Sequence, residues 1–528
     1  MVMVVRVEVP SVSQLPLLGL AGGGSVTDTT KRLFNANLVV VDTEGSPRPY
    51  LAEALPELNQ PSWLVNPDGT METTYRLKPG LTWHDGKPLT SADFVFAASV
   101  YSTPALGVSG SPPWSLFANA TTPDDRTLVL SWSRPFPEAG ALTEIFPPLP
   151  RHILAQPFLE SAPDAFANQP FWSTEYVGAG PFRVDRWEPG AFIEGTAFDG
   201  HALGRPKIDR VKITVINDRN AVLATMLSGG AHIAADSSLL YEEGVTLQRE
   251  WGSRGGGGTV INIPGSGRMT HVQLRPEYAS PRALLDLRVR RALAHTIDRQ
   301  GLNEALFDGN GLMTESYSVP MSPNFPAVSQ TIRSRPYDPR LADSLMTEAG
   351  FTRGTDGMYV DGEGRFAPEL MVPASSQGER EMAIMGNAWR QVGFDVQERV
   401  LPVRQISDGE ARSTNRSLQT SGGGTEKSFV QLHSRNSPSP ANRWSGNNRG
   451  GWSNPAFDRL AEAYETTLDR GERARTMAEM ARIFSEDAPV FPLYFNFIVI
   501  AHAARLAGPQ LVAPDAEVSW AVHTWELR

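Results

Sequence analysis

Segments with the apolar spacing of helices alternate with strand-like segments along nearly the whole chain. Residues 127–132 and 211–215 have the composition and length of strands. Asp338-Pro339 and Asn454-Pro455 each place a capping side chain before a proline, which predicts two helix starts. This alternation predicts an α/β fold. A chain of 528 residues, at roughly 150 residues per domain, is long enough for three or four domain-sized units.

Two further segments predict helices with more detail. Thr90 and Asp93 form the pattern of a capping box immediately before the apolar-rich residues 94–101. From Asp286 onward, apolar residues recur at helical spacing as far as Ile297. We therefore expect one helix to begin near residue 91 and another to run from Asp286 to Ile297.

The N-terminal residues have the pattern of a strand and not that of a signal sequence. Three valines between positions 5 and 9 alternate with Arg6 and Glu8, which predicts a half-buried strand over residues 4–9. A secretory signal needs a basic start and an unbroken apolar core. Either the protein is cytoplasmic, or a leader was removed before this chain was defined. The longest apolar run, residues 491–504, is shorter than the roughly 18 to 20 residues that span a bilayer, and it predicts a buried strand.

Composition and motif spacing exclude several classes of function. The net charge of −10 argues against a nucleic-acid binder, and the absence of cysteine removes disulfides, cysteine-ligated metals and thiol nucleophiles. None of the nine histidines pairs with another at i, i+4, so we expect no metal site. Residues 361–364 could suggest calcium, but their flanks predict a hairpin turn. No nucleophile elbow or phosphate loop occurs, so the sequence names no catalytic residue and no cofactor.

Six segments in order along the chain resemble the family 5 extracellular solute-binding proteins, the oligopeptide- and dipeptide-binding receptors of ABC importers. The longest is YRLKPGLTWHDGKPLTSADFVF at residues 75–96, and VGAGPF at 177–182 resembles the family's VGTGPY with Ala179 in place of Thr. The others are GRPKIDRV at 204–211, DLRVRRAL with IDR at 286–299, YDP through AGF at 337–351, and WSNPAFD at 452–458. Six matches in sequence order are far more specific than any one of them.

The resemblance implies a type 2 periplasmic-binding-protein fold with two α/β lobes, a hinge and an extra subdomain inserted in lobe one. Carried over by motif position, lobe one comprises residues 1–43, 177–264 and 490–528, the inserted subdomain residues 44–176, and lobe two residues 265–489. Segments near Val177 and Pro264 are then expected to be the hinge strands.

The resemblance also implies a receptor that binds its solute between the lobes, closes around it and delivers it to a membrane permease. We expect a monomer that is periplasmic or at the cell surface, with a leader or lipid anchor absent from this chain. It would carry no cofactor or metal, do no chemistry and bind no nucleic acid. A hydrolase with a scattered catalytic site is the alternative, and a chaperone or sensor on the same scaffold is a third hypothesis.

The ligand-binding residues are expected where this chain departs from the family. Peptide-binding members often hold the ligand's ammonium with an Asp, but two alignments are possible here, and they place either Asn436 or a glycine of residues 421–425 at that position. The stretch 433–449 carries three Arg and one Trp, which favours an anionic or hydrogen-bonding, partly flat ligand, although it could be only a surface loop. The predicted ligand-binding residues are Arg435, Asn436, Arg443, Trp444, Trp114 and Arg275.

Trp114 and Arg275 enter that prediction for separate reasons. Trp114 ends the rigid stretch SPPW, where it could wall a pocket or equally fill a gap in the core. Arg275 follows the strand-like residues 271–274, where the family places residues that face the ligand.

Overall fold

The structure is a computed structural model, and it describes residues 1–13, 27–106, 112–143, 146–253, 255–406, 408–514 and 516–528. The chain divides into two compact units. Unit 1 comprises Met1–Ile263 and Phe497–Arg528, and unit 2 comprises Pro264–Asn496. Helices and strands alternate in both units, as the sequence predicts for an α/β fold.

Unit 1 contains helices in the ranges Asp28–Phe34, Ser91–Tyr101, Arg151–Glu160, Pro163–Ala167, Arg219–Leu227 and Tyr241–Ser253. Short 3-10 helices span Pro104–Leu106, Pro137–Gly140, Pro170–Trp172 and Val518–Thr524. Its strands are Val2–Val5, Val39–Val41, Pro47–Pro49, Trp63–Val65, Met71–Arg76, Phe117–Asp124, Thr127–Trp132, Phe182–Glu188, Phe192–Ala197, Arg210–Val215, Ile233–Leu239, Leu506–Ala507 and Glu526–Leu527.

Unit 2 contains helices in the ranges Leu287–His295, Arg299–Phe307, Phe325–Thr331, Pro339–Glu348, Ser376–Gln391, Gly409–Ser413, Pro455–Thr466 and Arg470–Asp487. Its 3-10 helices span Arg282–Leu285, Val403–Gln405, Glu426–Leu432, Ser434–Asn436 and Pro440–Asn442. Its strands are Leu312–Met313, Thr352–Arg353, Tyr359–Asp361, Gly364–Arg365, Glu369–Pro373, Gln397–Leu401 and Leu418–Gly424.

Two long strands carry the chain from one unit to the other. Gly258–Val272 begins in unit 1 and ends in unit 2, and Val490–Ala503 returns. The first crossing falls at Pro264, one of the two places where the sequence predicts a hinge strand. The expectation for Val177 is wrong, because that segment lies inside unit 1. Its glycines serve packing there: a Cβ on Gly180 would lie 2.3 Å from the Phe34 carbonyl carbon, so only glycine permits this approach.

The N-terminal strand lies inside the sheet of unit 1. Val2–Val5 pairs in parallel with Arg210–Val215 on one side and with Ile233–Leu239 on the other. Met3, Val4 and Val5 are all buried, because a strand between two parallel neighbours is covered on both faces. The strand is therefore earlier and shorter than the predicted residues 4–9, and the expected half-burial is wrong.

Residues 44–176 include a separate antiparallel sheet. Its strand order is Trp63–Val65, Met71–Arg76, Thr127–Trp132 and Phe117–Asp124. The first two strands are joined through Asn66 to Gly69, whose glycine has a φ of +85° that suits a tight turn. That residues 44–176 form an inserted subdomain, and that the lobes have the boundaries given above, stay predictions.

Local helix signals are confirmed where a cap defines the start. Asp338 Oδ1 accepts the backbone N–H groups of Arg340 and Leu341, and the helix Pro339–Glu348 follows. The helix predicted from Asp286 to Ile297 is shorter than expected, because it ends at His295.

The helix ends at His295 because Thr296 takes the C-cap position with non-helical backbone dihedral angles. The Thr296 hydroxyl donates to the Ala292 carbonyl oxygen at 3.0 Å. Ile297 remains buried, but it lies outside the helix.

The sheet of unit 2 is fixed by a buried ion pair. Its strand order is Gln397–Leu401, Glu369–Pro373, Leu418–Gly424 and then the end of Gly258–Val272. Arg268 donates through Nε and Nη2 to both oxygens of Glu381, and the Tyr494 hydroxyl donates to Glu381 Oε1. Glu381 lies on the helix Ser376–Gln391, and its side chain is fully buried. The pair therefore joins that helix to the two long strands.

Candidate functional site

Two paired strands of unit 2 place a row of polar side chains on one face of the sheet. Residues 268–272 run antiparallel to Leu418–Gly424, with His271 opposite Gln419 and Met269 opposite Ser421. Cross-strand partners point to the same face, so His271, Gln419 and Ser421 lie side by side. Arg268 and its ion pair belong to the opposite face, because side chains alternate along a strand.

A small cavity of about 50 Å³, the glycine pocket, opens beside this row. Its walls combine polar groups, an aromatic ring and three consecutive glycines. The lining residues are His271, Tyr317, Gly422, Gly423, Gly424, Ser428, Leu432, Asn447 and Arg449. None of these lining residues, all within the described ranges, carries a carboxylate.

The three glycines of the pocket differ in the room they leave. A Cβ on Gly423 would lie 2.1 Å from Met269 Cγ, and Gly424 combines a φ of +81° with a Cβ contact of 2.3 Å to Ser428 Oγ. Gly422 is different, because its nearest contact would be Ser266 Oγ at 3.7 Å, an ordinary van der Waals distance. A side chain at Gly422 would therefore displace no neighbour, but it would point to the Arg268 face of the sheet, because Gly422 is the cross-strand partner of Arg268.

His271 lines the pocket as a neutral, buried imidazole. Its exposure is 3%, and its Nε2 has no hydrogen-bond partner in the described part of the chain. Burial, with a smaller effect from the charge of Arg412, lowers the pKa of His271 to about 4. At neutral pH the ring therefore offers hydrogen bonds and no charge. A buried polar atom without a partner costs about 1–3 kcal/mol, which a bound water or ligand atom can offset.

Gln419 lies beside His271 on the same face of the sheet and extends its polar surface. Its side chain is fully buried, and neither its amide nitrogen nor its amide oxygen finds a partner among the described residues. A ligand or water that reaches the row would therefore meet unused donors and acceptors.

Arg449 supplies the positive charge of the pocket. Its Nη1 donates to Ser421 Oγ at 2.5 Å, which holds the guanidinium against the strand. Tyr317 forms the apolar wall, stacked on Phe429 with ring centroids 5.0 Å apart. Burial raises the pKa of the Tyr317 phenol, so it stays protonated. The pocket thus combines one cation, neutral hydrogen-bonding groups and an aromatic wall.

Arg275, a predicted ligand residue, binds protein oxygens. Its guanidinium donates to the carbonyl oxygens of Pro438 at 2.8 Å, Arg449 at 3.1 Å and Ser413. Its Nε donates to Gln273 Oε1 at 3.1 Å. Arg275 therefore ties the segment 434–449, called the arginine loop below, to the rest of unit 2.

The other predicted residues of the arginine loop fall into two groups. Arg435 makes a bidentate ion pair with Glu465, at 2.8 and 2.7 Å, and Asn436 accepts the Asn448 backbone N–H at 3.3 Å through its carbonyl oxygen. Arg443 and Trp444 follow each other with φ of 54° and 59°, the left-handed region that non-glycine residues seldom adopt. Arg443 is exposed, and its side chain has no hydrogen bond or ion pair within the described residues. Ligand contacts from these four residues stay predictions.

Trp114 lies in the core of unit 1. It is 5% exposed, and its ring packs against Tyr101, Phe117 and Phe146 with centroids 5.3, 5.7 and 5.2 Å away. Of the two alternatives for Trp114, this packing favours the filling of a core gap. Ser111, the first residue of its predicted rigid stretch, lies outside the described residues.

Sequence reasoning missed His271, Gln419 and Arg449 as site residues. His271 was considered only as the start of the run before Arg275, and Arg449 only as one charge of the loop. The signal that could have found the pocket is the run Gly422–Gly424 at a strand end, since consecutive glycines there mark a close approach of backbone or ligand.

Across the described ranges, no helix combines the length and apolar character needed to cross a membrane. The same residues include no group of three or more His, Asp or Glu side chains placed to hold a metal ion.

Residues 47–442 match the family described as bacterial extracellular solute-binding proteins, family 5. The chain belongs to this family, as the six motifs predict. The match supports the receptor hypothesis and not the hydrolase.

The relatives cover the chain to different extents. A protein of Brucella ovis named as an ABC transporter peptide-binding protein is 27% identical over 305 residues, which are 55% of this chain and 51% of that protein. The chain thus spans about half the length of this relative. The oligopeptide-binding protein AppA of Bacillus subtilis is 23% identical over 91% of this chain and 84% of its own length.

The fold is shared over the full chain with solved structures. The crystal structure of NikZ from Campylobacter jejuni in complex with Ni(L-His) has a TM-score of 0.78 and 19% identity, and the match covers 100% of this chain and 99% of that one. This likeness confirms the predicted periplasmic-binding-protein fold.

Proposed function

We propose that this chain is the solute receptor of an ABC importer, that it acts in the periplasm or at the cell surface, and that it delivers its ligand to a membrane permease as a monomer. The family assignment and the relatives named as peptide-binding proteins support this proposal. Closure of two lobes around the ligand is part of the proposal and comes from the family resemblance.

The observation that carries the ligand proposal is the lack of a carboxylate around the glycine pocket. A glycine of residues 421–425 stands where one of the two alignments places the family's Asp, and the charged side chain that lines the pocket is Arg449. A buried ammonium needs a charge-assisted partner, and a cation beside it is unfavourable. The pocket therefore suits a ligand group that is anionic or a neutral hydrogen-bonding group.

Peptides and metal chelates both remain compatible ligand classes. The relatives include a protein named for oligopeptides, and the structural neighbour holds Ni(L-His). Within these classes, we propose ligands whose amine is blocked, already coordinated or absent, such as acylated peptides or anionic chelates.

The proposal of a receptor is tested by ligand stabilisation together with ligand recovery. Native mass spectrometry of the purified protein identifies any ligand carried through purification, and that compound is then titrated. Binding should stabilise the protein by about 3 to 4 kcal/mol at 100 to 1,000 times Kd. The compound should be recovered chemically unchanged. Its conversion into a product by the pure protein would overturn the receptor proposal in favour of an enzyme.

A further inference from the structure

A second cavity in unit 2 shares no lining residue with the glycine pocket. It is an open cleft of about 450 Å³, lined by residues between Ile297 and Tyr337 and called the 297–337 cleft below. Its walls are largely apolar, with Ile297, Phe325 and Ile332 among them. Tyr337 lies at the surface with 49% of its area exposed. Charged side chains also line it, namely Asp298, Arg299, Glu315 and Arg335. A concave, mostly apolar surface with a few convergent polar groups is typical of a small-molecule site.

Arg335 is one of the two arginines that line the cleft. Its guanidinium makes no hydrogen bond or ion pair with any described residue, and its Nη2 is buried without a partner. Burial and then the charge of Arg291 lower the pKa of Arg335 to about 10, so it remains protonated at neutral pH. A half-buried cation without a partner is costly, because its charge has lost part of its hydration.

The two carboxylates that line the cleft are engaged elsewhere. Glu315 accepts the Ser334 hydroxyl at 2.5 Å and the Arg335 backbone N–H at 2.6 Å, and it lies 3.8 Å from Arg299 Nη1. Asp298 caps a helix by accepting the Gly301 N–H at 2.8 Å. Both carboxylates thus accept hydrogen bonds from other donors, and neither hydrogen-bonds to the guanidinium of Arg335, although the charge of Glu315 acts on it.

We propose that the 297–337 cleft binds a small amphipathic monocarboxylate, with its apolar body against Ile297, Phe325 and Ile332 and its carboxylate on the guanidinium of Arg335. The planar guanidinium matches a carboxylate with two parallel hydrogen bonds, and pairing is stronger where solvent is partly excluded. The site is separate from the proposed transport site and does not depend on it.

The test uses fluorine NMR on the full chain with 4-fluorobenzoate as the probe and 4-fluorobenzyl alcohol as its uncharged analogue. The acid should bind saturably in the millimolar range or below, and at least tenfold more tightly than the alcohol. Arg335→Gln should weaken the acid at least tenfold, and its fold should survive because the side chain it replaces has no partner to lose.

Three further variants locate the site. Ser329→Trp, at an exposed lining position, should block the probe by filling the cleft. Arg333→Gln removes a neighbouring exposed arginine that does not line the cleft and should change affinity less than twofold. Gly422→Asp, in the glycine pocket, should also leave probe binding unchanged. Equal binding of acid and alcohol, unchanged binding by Arg335→Gln, or no saturable binding would each overturn the proposal.

Discussion

Removal of the buried charge of Glu381 should strongly destabilise unit 2. The side chain of Glu381 is fully buried and that of Arg268 is 12% exposed, so Glu381→Gln leaves a buried guanidinium without a counter-charge. Loss of one partner from a buried pair costs about 3–5 kcal/mol. For a unit of this size, roughly 2–4 °C per kcal/mol gives a fall in Tm of about 6–20 °C.

Urea unfolding followed by circular dichroism measures this loss in the full chain. Two controls separate burial from charge. Glu479→Gln breaks an exposed pair with Arg482 at 2.6 Å and should cost only about 0–1 kcal/mol. The double variant Arg268→Met with Glu381→Leu removes both charges and should recover most of the loss. A loss for Glu381→Gln no larger than that for Glu479→Gln would refute the reasoning.

Two further predictions concern the site. Arg275→Met should destabilise the protein by about 2–4 kcal/mol and speed hydrogen exchange in the arginine loop, because the loop loses the hydrogen bonds from this guanidinium. A loss of stability without faster exchange in the loop would contradict the anchoring role of Arg275. Folding lowers the pKa of His271 to about 4, so the unfolded chain binds the proton more tightly than the folded chain does. The contribution of neutral His271 to the free energy of unfolding is therefore full above about pH 6.5 and is lost as the pH falls towards 4. His271→Gln should flatten that part of the curve of unfolding free energy against pH, which denaturation at several pH values measures.

The helices and strands that the sequence predicts well are those whose start or extent depends on a signal within a few neighbouring residues. The helix starts at Asp338-Pro339 and Asn454-Pro455 depend on a cap side chain and a proline, and both are confirmed. The strand over residues 127–132 is confirmed at both ends. The helix after Asp286 was overestimated because periodicity does not reveal where a hydroxyl, here that of Thr296, turns back onto the backbone.

The glycine pocket could not be predicted because distant segments build it. His271 and Gln419 meet only through the pairing of two strands far apart in the chain. Arg275 was assigned to the ligand from its position after a strand, yet its partners are carbonyl oxygens of three separate segments, which sequence does not place. The family motifs predicted the scaffold, whereas the pocket depends on tertiary contacts.

The most direct test of the ligand proposal is calorimetry of the unmodified protein with matched peptide pairs, each with a free or an acetylated N-terminus. Because the residues lining the glycine pocket include Arg449 and no carboxylate, the acetylated form should bind at least as tightly as the free form. A free amine that binds tenfold more tightly, about 1.4 kcal/mol, would show that a carboxylate elsewhere anchors it and would contradict the proposal.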